Sequence, residues 1–111
     1  MKNSLIDCDV HPSPKNISVI HEYLPKRWHH NYFFRGRPFY THPNHVFRLD
    51  AVTPEGDLPG SDPEFMREQL LDKYGIEYAI LLPLPYVNMH PNPYMAKDLA
   101  AAYNQWLDDV W

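Results

Sequence analysis

The pattern of hydrophobic and polar positions divides the chain into short strands and helices. At the start, an apolar pair is followed by alternating acidic and apolar residues before Pro12, which predicts a strand over residues 5–11. An uninterrupted apolar run over residues 78–82 stops at Pro83. Continuous apolarity is typical of a parallel strand that is covered on both faces.

Three further segments have the end signals or the spacing of helices. Asn16 is a good N-cap for a short helix through Leu24, and Asp62 before a proline predicts a second helix that ends at Gly75. The strongest periodicity follows Asn92, where apolar residues recur every three or four positions. These residues are Met95, Leu99, Tyr103, Trp106 and Val110.

The order of these elements indicates the fold class. Strand, helix, a long turn-rich segment over residues 34–60, helix, strand and helix is the rhythm of parallel βα units, so we predict an α/β fold. Two strands cannot finish such a fold, because each needs covered faces and a covered edge. We therefore expect residues 1–111 to be the N-terminal part of a larger domain.

The composition excludes several classes of protein. The sequence has a single cysteine, Cys8, no apolar leader and no apolar stretch long enough to span a membrane. We therefore expect a cytoplasmic protein with no membrane partner.

Charge is distributed unevenly, with a net charge of −4 but five basic and no acidic residues over 26–48. Four histidines and seven aromatic residues share this segment. One interpretation is a nucleic-acid-binding arm or interaction module. The other is a loop that packs on a neighbouring subunit and offers Arg35 or Arg37 to the carboxylate of a substrate. The overall acidity favours the loop, so we expect no nucleic-acid partner.

Candidate chemistry is concentrated at the end of the first predicted strand. Since side chains alternate along a strand, Asp7, Asp9 and His11 should share one face, while Cys8 should be a small core residue on the other. A carboxylate and an imidazole two residues apart can bind one divalent cation at the carboxyl end of a parallel strand. We predict Asp9 and His11 as metal ligands and Asp7 as a supporting acid behind them.

Other enzymes also use two aspartates at this spacing. In phosphoryl transfer Asp7 would be the nucleophile and Asp9 the proton donor, but that pattern normally has Thr or Val where this sequence has His11. A nucleotide-sugar transferase would hold a metal with the same pair, yet the four glycines are scattered and form no phosphate-binding loop. We rank both interpretations below the paired ligands.

Several segments together resemble the start of amidohydrolase-superfamily enzymes, in the branch related to aminocarboxymuconate semialdehyde decarboxylase. The segments that carry the resemblance are residues 6–12, 60–63, 69–76, 79–83 and 99–107. The resemblance covers nearly the whole chain but only about the first third of a typical (β/α)8 TIM barrel. It implies a barrel portion of about two βα units plus a long loop, with a first metal-ligand pair that maps onto Asp9 and His11.

The resemblance implies a metal-dependent hydrolase or decarboxylase that acts on a small, carboxylate-bearing substrate through a metal-bound water. Asp9 stands where many relatives have histidine, so manganese, magnesium and iron are expected beside zinc. The remaining ligands and the catalytic base belong to later strands, which are absent from this chain, so we expect the chain alone to be inactive. We also expect a homo-oligomer, or association with the rest of the barrel.

His90 follows the second predicted strand and should lie on the same carboxyl-end side as the ligand pair. It is a candidate for substrate binding. The alternative is a loop histidine that anchors the turn before the last helix.

Overall fold

A computed structural model describes residues 4–30, 48–82 and 90–111. These residues form a mixed α/β structure with two strands, which confirms the predicted class. Its elements are strand β1 (Leu5–Val10), helix α1 (Ile17–Tyr23), a 3₁₀ turn (Lys26–Trp28), a second 3₁₀ turn (Leu49–Ala51), helix α2 (Pro63–Met66), strand β2 (Ile76–Leu81) and helix α3 (Pro93–Val110). The chain divides into two compact units, residues 1–15 with 46–84 and residues 16–45 with 85–111.

The first unit is built on a parallel pair of strands, as predicted. Asp7 of β1 lies opposite Ala79 of β2, and Val10 lies opposite Leu81. Between these pairs β1 has one residue more than β2, so β1 carries a bulge immediately before its end. The pairing continues past β2, because the amide of Leu82 donates to the carbonyl of Val10 at 2.7 Å.

In the part of the chain that the structure describes, the sheet is not covered on both faces, which differs from the prediction for the second strand. The exposed fractions of Tyr78 and Ile80 are 60% and 49%. Cys8 is also exposed, so its prediction as a core residue is wrong. The bulge interrupts the alternation of β1, and a sheet of two strands is too narrow to bury both of its faces.

Helix α2 begins at the predicted cap, and the helical segment that continues from it ends at the predicted glycine. The Asp62 carboxylate accepts a hydrogen bond from the amide of Phe65 at 3.0 Å, and Gly75 takes a left-handed conformation with φ of +64°. The chain continues from α2 as a π-helix over Arg67–Asp72. A π turn holds more residues than an α turn, so the side chains that follow it are rotated about the helix axis. Met66 before the π-helix is buried, whereas Tyr74 after it is exposed.

The second unit holds α1 and α3. Asn16 and Asn92 cap them as predicted, because the Asn16 side chain accepts from the amide of Ser18 and the Asn92 side chain accepts from two amides of α3. The predicted stripe of α3 is buried except for Val110, which is 43% exposed. The core consists of Ile20, Leu24, Met95, Leu99, Ala102, Tyr103 and Trp106.

No helix within residues 4–30, 48–82 and 90–111 is long and apolar enough to cross a membrane. The first part of the predicted turn-rich segment lies outside the described residues, and the part from residue 48 onward contains one 3₁₀ turn and irregular loop.

Candidate functional site

The two predicted metal ligands lie together at the carboxyl end of β1. Nε2 of His11 is 3.4 Å from Oδ1 of Asp9. The two side chains are accessible, since the exposed fractions are 38% for His11 and 75% for Asp9. The pair therefore faces outward at the end of the strand where parallel sheets place their ligands.

The neighbouring strand fixes the orientation of the His11 ring. Nδ1 of His11 lies 2.8 Å from the carbonyl oxygen of Leu82. A carbonyl oxygen only accepts, so the hydrogen of this bond is on Nδ1. In a neutral imidazole the lone pair then belongs to Nε2, the nitrogen that faces Asp9. A histidine that donates one ring N–H to a carbonyl and presents the other nitrogen is the usual arrangement of a metal-binding imidazole.

The separation of the pair suits two ligands of one ion better than a hydrogen bond. Hydrogen bonds from nitrogen to oxygen are usually about 2.7–3.2 Å long, shorter than the 3.4 Å between His11 and Asp9. Two ligands bound tetrahedrally at about 2.0–2.1 Å lie about 3.3 Å apart. In the neutral imidazole with its hydrogen on Nδ1, Nε2 and the carboxylate oxygen are two acceptors that face each other, and a cation between them would satisfy both.

Asp7 binds the backbone at this end of the strand, while its role as a supporting acid behind a metal stays a prediction. Its carboxylate accepts a hydrogen bond from the backbone amide of Asp9 at 3.0 Å. This amide is at the bulge, where β1 carries its extra residue. Asp7 therefore holds the backbone from which the Asp9 side chain projects.

The pair is not a complete metal centre in the described part of the chain. Residues 4–30, 48–82 and 90–111 contain no group of three or more histidine, cysteine, aspartate or glutamate side chains able to hold a metal ion. Asp9 and His11 supply two donors, and a structural or catalytic site needs at least one more from protein.

The other predicted site residues have different surroundings. His90 belongs to the second unit and is buried, and its Nδ1 accepts a hydrogen bond from the amide of Asn92 at 3.0 Å. This contact anchors the start of α3, which is the alternative that the sequence left open, while a substrate contact of His90 stays a prediction. Arg35 and Arg37 lie outside the described residues.

The sequence analysis did not predict a buried aspartate, Asp98, in the second unit. Asp98 is only 7% exposed, and its carboxylate accepts from the indole N–H of Trp28 at 2.7 Å and from the guanidinium of Arg27. Trp28 and Arg27 are about 70 positions from Asp98. One signal was available, since Asp98 lies within the apolar stripe of α3, where an acid needs a partner.

Comparison with known protein families and with curated proteins gave no match.

Proposed function

We propose that Asp9 and His11 are the first two metal ligands of a metal-dependent hydrolase or decarboxylase of the amidohydrolase type. The observation that supports this proposal best is the His11 ring, whose Nδ1–H is engaged by the Leu82 carbonyl so that Nε2 faces a carboxylate oxygen 3.4 Å away. Metal-binding histidines usually donate their other ring N–H to a carbonyl or a carboxylate, which is the arrangement of His11.

The parallel pairing of β1 and β2 agrees with the proposed architecture. In this proposal the described strands are the first of a (β/α)8 barrel, and the pair lies at the barrel's catalytic end. In such a barrel the remaining ligands and the catalytic base would come from later strands. Association with those strands, or with further copies, in the cytoplasm is part of the proposal.

The chemistry follows from the donor set. When bound, a divalent ion polarises a carbonyl or carboxylate and lowers the pKa of a water ligand towards ~7. Asp9 contributes a negative charge and His11 a neutral nitrogen, a mixed set that suits zinc, manganese or iron. Arg35, Arg37 and His90 are the proposed contacts for a small substrate that carries a carboxylate.

The alternative of a nucleic-acid-binding or interaction segment over residues 26–48 has less support. Two of its candidate contacts, Arg27 and Trp28, are bound to the buried Asp98. Their contact with Asp98 gives both side chains a structural role inside the second unit that requires no nucleic acid.

A titration with zinc and with manganese tests the ligand pair without requiring turnover. We expect the protein to bind one ion weakly, and Asp9→Asn and His11→Gln each to reduce the affinity about tenfold or more. The matched controls Asp108→Asn and His30→Gln change an exposed aspartate and an exposed histidine elsewhere, and should leave the affinity unchanged. The assignment fails if the unmodified protein binds neither ion, or if all four variants bind like it.

A further inference from the structure

Gly60 makes an unusually close approach to the backbone of His11. Gly60 has a left-handed conformation with φ of +73°, and a Cβ at this position would lie 2.2 Å from the carbonyl oxygen of His11. Real Cβ atoms do not come so near to a backbone oxygen, so only glycine fits while the strand end stays in place.

A hydrogen bond also joins the segment that contains His11 to the segment that contains Gly60. The amide of Ser13 donates to the carbonyl of Gly60 at 2.7 Å. The loop that presents Gly60 is itself tied to this segment, because the ammonium of Lys15 is 2.9 Å from the carboxylate of Asp57. Within the loop the hydroxyl of Thr53, a buried residue, accepts from the amide of Asp57 at 3.0 Å.

We infer that Gly60 is a positioning residue for His11, which it holds through backbone contact so that Nδ1 stays on the Leu82 carbonyl and Nε2 faces Asp9. His11 lies between two fixed points of the backbone. Before it, the carbonyl of Val10 accepts from the amide of Leu82, and after it the amide of Ser13 donates to Gly60. A shift of the His11 carbonyl by a side chain at position 60 would move the peptide that sets the ring's direction.

The expected effect of Gly60 on metal binding rests on the proposed function, whereas its expected effect on the tautomer of the His11 ring does not. The ring nitrogen that carries the hydrogen is measurable by ¹⁵N NMR of the metal-free protein at a pH where the imidazole is neutral. In the unmodified protein we expect the hydrogen of His11 on Nδ1.

Gly60→Ala is the test variant, and Gly56→Ala is its matched control. Both glycines have left-handed backbones, with φ of +73° and +88°, but a Cβ at Gly56 would meet nothing within 4 Å. Each alanine carries the same kind of backbone strain, and only the one at position 60 collides with His11. We expect Gly60→Ala to lose the Nδ1–H form of His11 and to weaken zinc binding about 10- to 100-fold, and Gly56→Ala to keep both.

A second pair of variants tests whether Gly60 positions His11 if Gly60→Ala does not fold. Ser13 precedes Pro14, so its backbone is expected to be extended and to tolerate proline. Ser13→Pro deletes the amide that donates to Gly60, while Ser13→Ala removes only the hydroxyl. We expect the proline variant alone to shift the His11 tautomer.

The two proposals fail in different ways. If zinc binds but the test variants keep both tautomer and affinity, Gly60 does not position His11 and the ligand pair stands. If the tautomer shifts while even the unmodified protein binds no metal, Gly60 positions the ring and the proposed function falls.

Discussion

At the scale of single residues, the carboxylate of Asp98 shows how a buried charge is tolerated in the second unit. The hydrogen bond from the indole N–H of Trp28 is the main cause that lowers the pKa of this carboxyl below its ordinary value of 3.8. Arg27 also lowers this pKa, whereas burial raises it. A pKa that is lower in the folded than in the unfolded protein stabilises the fold above the unfolded value. This contribution is lost as the pH falls through the lowered pKa.

We therefore expect Asp98→Asn to lower the melting temperature at pH 7 by several degrees, because the neutral amide cannot accept as strongly from Trp28 and Arg27. The deficit should shrink as the pH falls below 3.8 and through the lowered pKa of the folded protein, because the Asp98 carboxylate then becomes protonated. Asp108→Asn changes an exposed aspartate of the same helix and should melt like the unmodified protein. Melting curves recorded between pH 2.5 and 7 measure both effects, and a deficit independent of pH would contradict the assignment.

The sequence predicted the residues whose partners are near in the chain and missed those whose partners are distant. Asp9 and His11 are separated by one residue, so their proximity depends mainly on the local chain. The Leu82 carbonyl that orients His11 is 71 positions away, and no local pattern indicates it. Asp98 was missed for the same reason, because Trp28 and Arg27 reach it only after the chain has folded.

At the scale of elements, helix ends were predictable because a cap is a contact within three residues. Asn16, Asp62 and Asn92 each accept from an amide of the following turn, as expected from their side chains. The π-helix over Arg67–Asp72 was not predictable from the apolar spacing, which is equally compatible with an α-helix. The bulge of β1 depends on its register with β2, which the sequence of one strand does not contain.

The cap of α3 gives a test at this scale. The Asn92 side chain accepts from the amides of Tyr94 and Met95, so Asn92→Ala should lower the free energy of unfolding by about 1 kcal/mol. Asn104 is exposed within the same helix, and Asn104→Ala should leave stability unchanged or slightly higher, since alanine is the better helix former. Urea unfolding of the two variants compares them, and equal destabilisation would show that capping is not the cause.

At the scale of the whole molecule, the two units differ in how much apolar surface they bury. The second unit has a continuous core in which Ile20, Met95 and Leu99 are at most 2% exposed. The sheet of the first unit leaves large apolar side chains accessible, among them Leu5 at 51% and Tyr78 at 60%. A sheet of two strands is marginally stable without further cover. The parallel α/β arrangement was predictable from the order of elements, while its completion into a barrel remains a proposal.

Amide hydrogen exchange should reveal this difference directly. We expect the amides in the middle of α3 to exchange more slowly than those of β1 and β2 by on the order of tenfold or more, since exchange follows local opening and the buried core resists it. Exchange measured by NMR at single residues makes the comparison, with the exposed 3₁₀ turn Leu49–Ala51 as the fast reference. Equal protection in the strands and in α3 would contradict this account.

The acceptor that orients His11 belongs to the backbone of Leu82, and this affects how position 82 tolerates replacement. Every amino acid provides the same carbonyl, so exchanging the leucine side chain for almost any other should leave the ring's tautomer intact. Proline is the exception, because it lacks the N–H that Leu82 donates to Val10. A saturation scan of position 82 would therefore find nineteen of the twenty amino acids tolerated, which is roughly the result expected at an unimportant site. Only the failure of the proline variant would show that the backbone of this residue has a role.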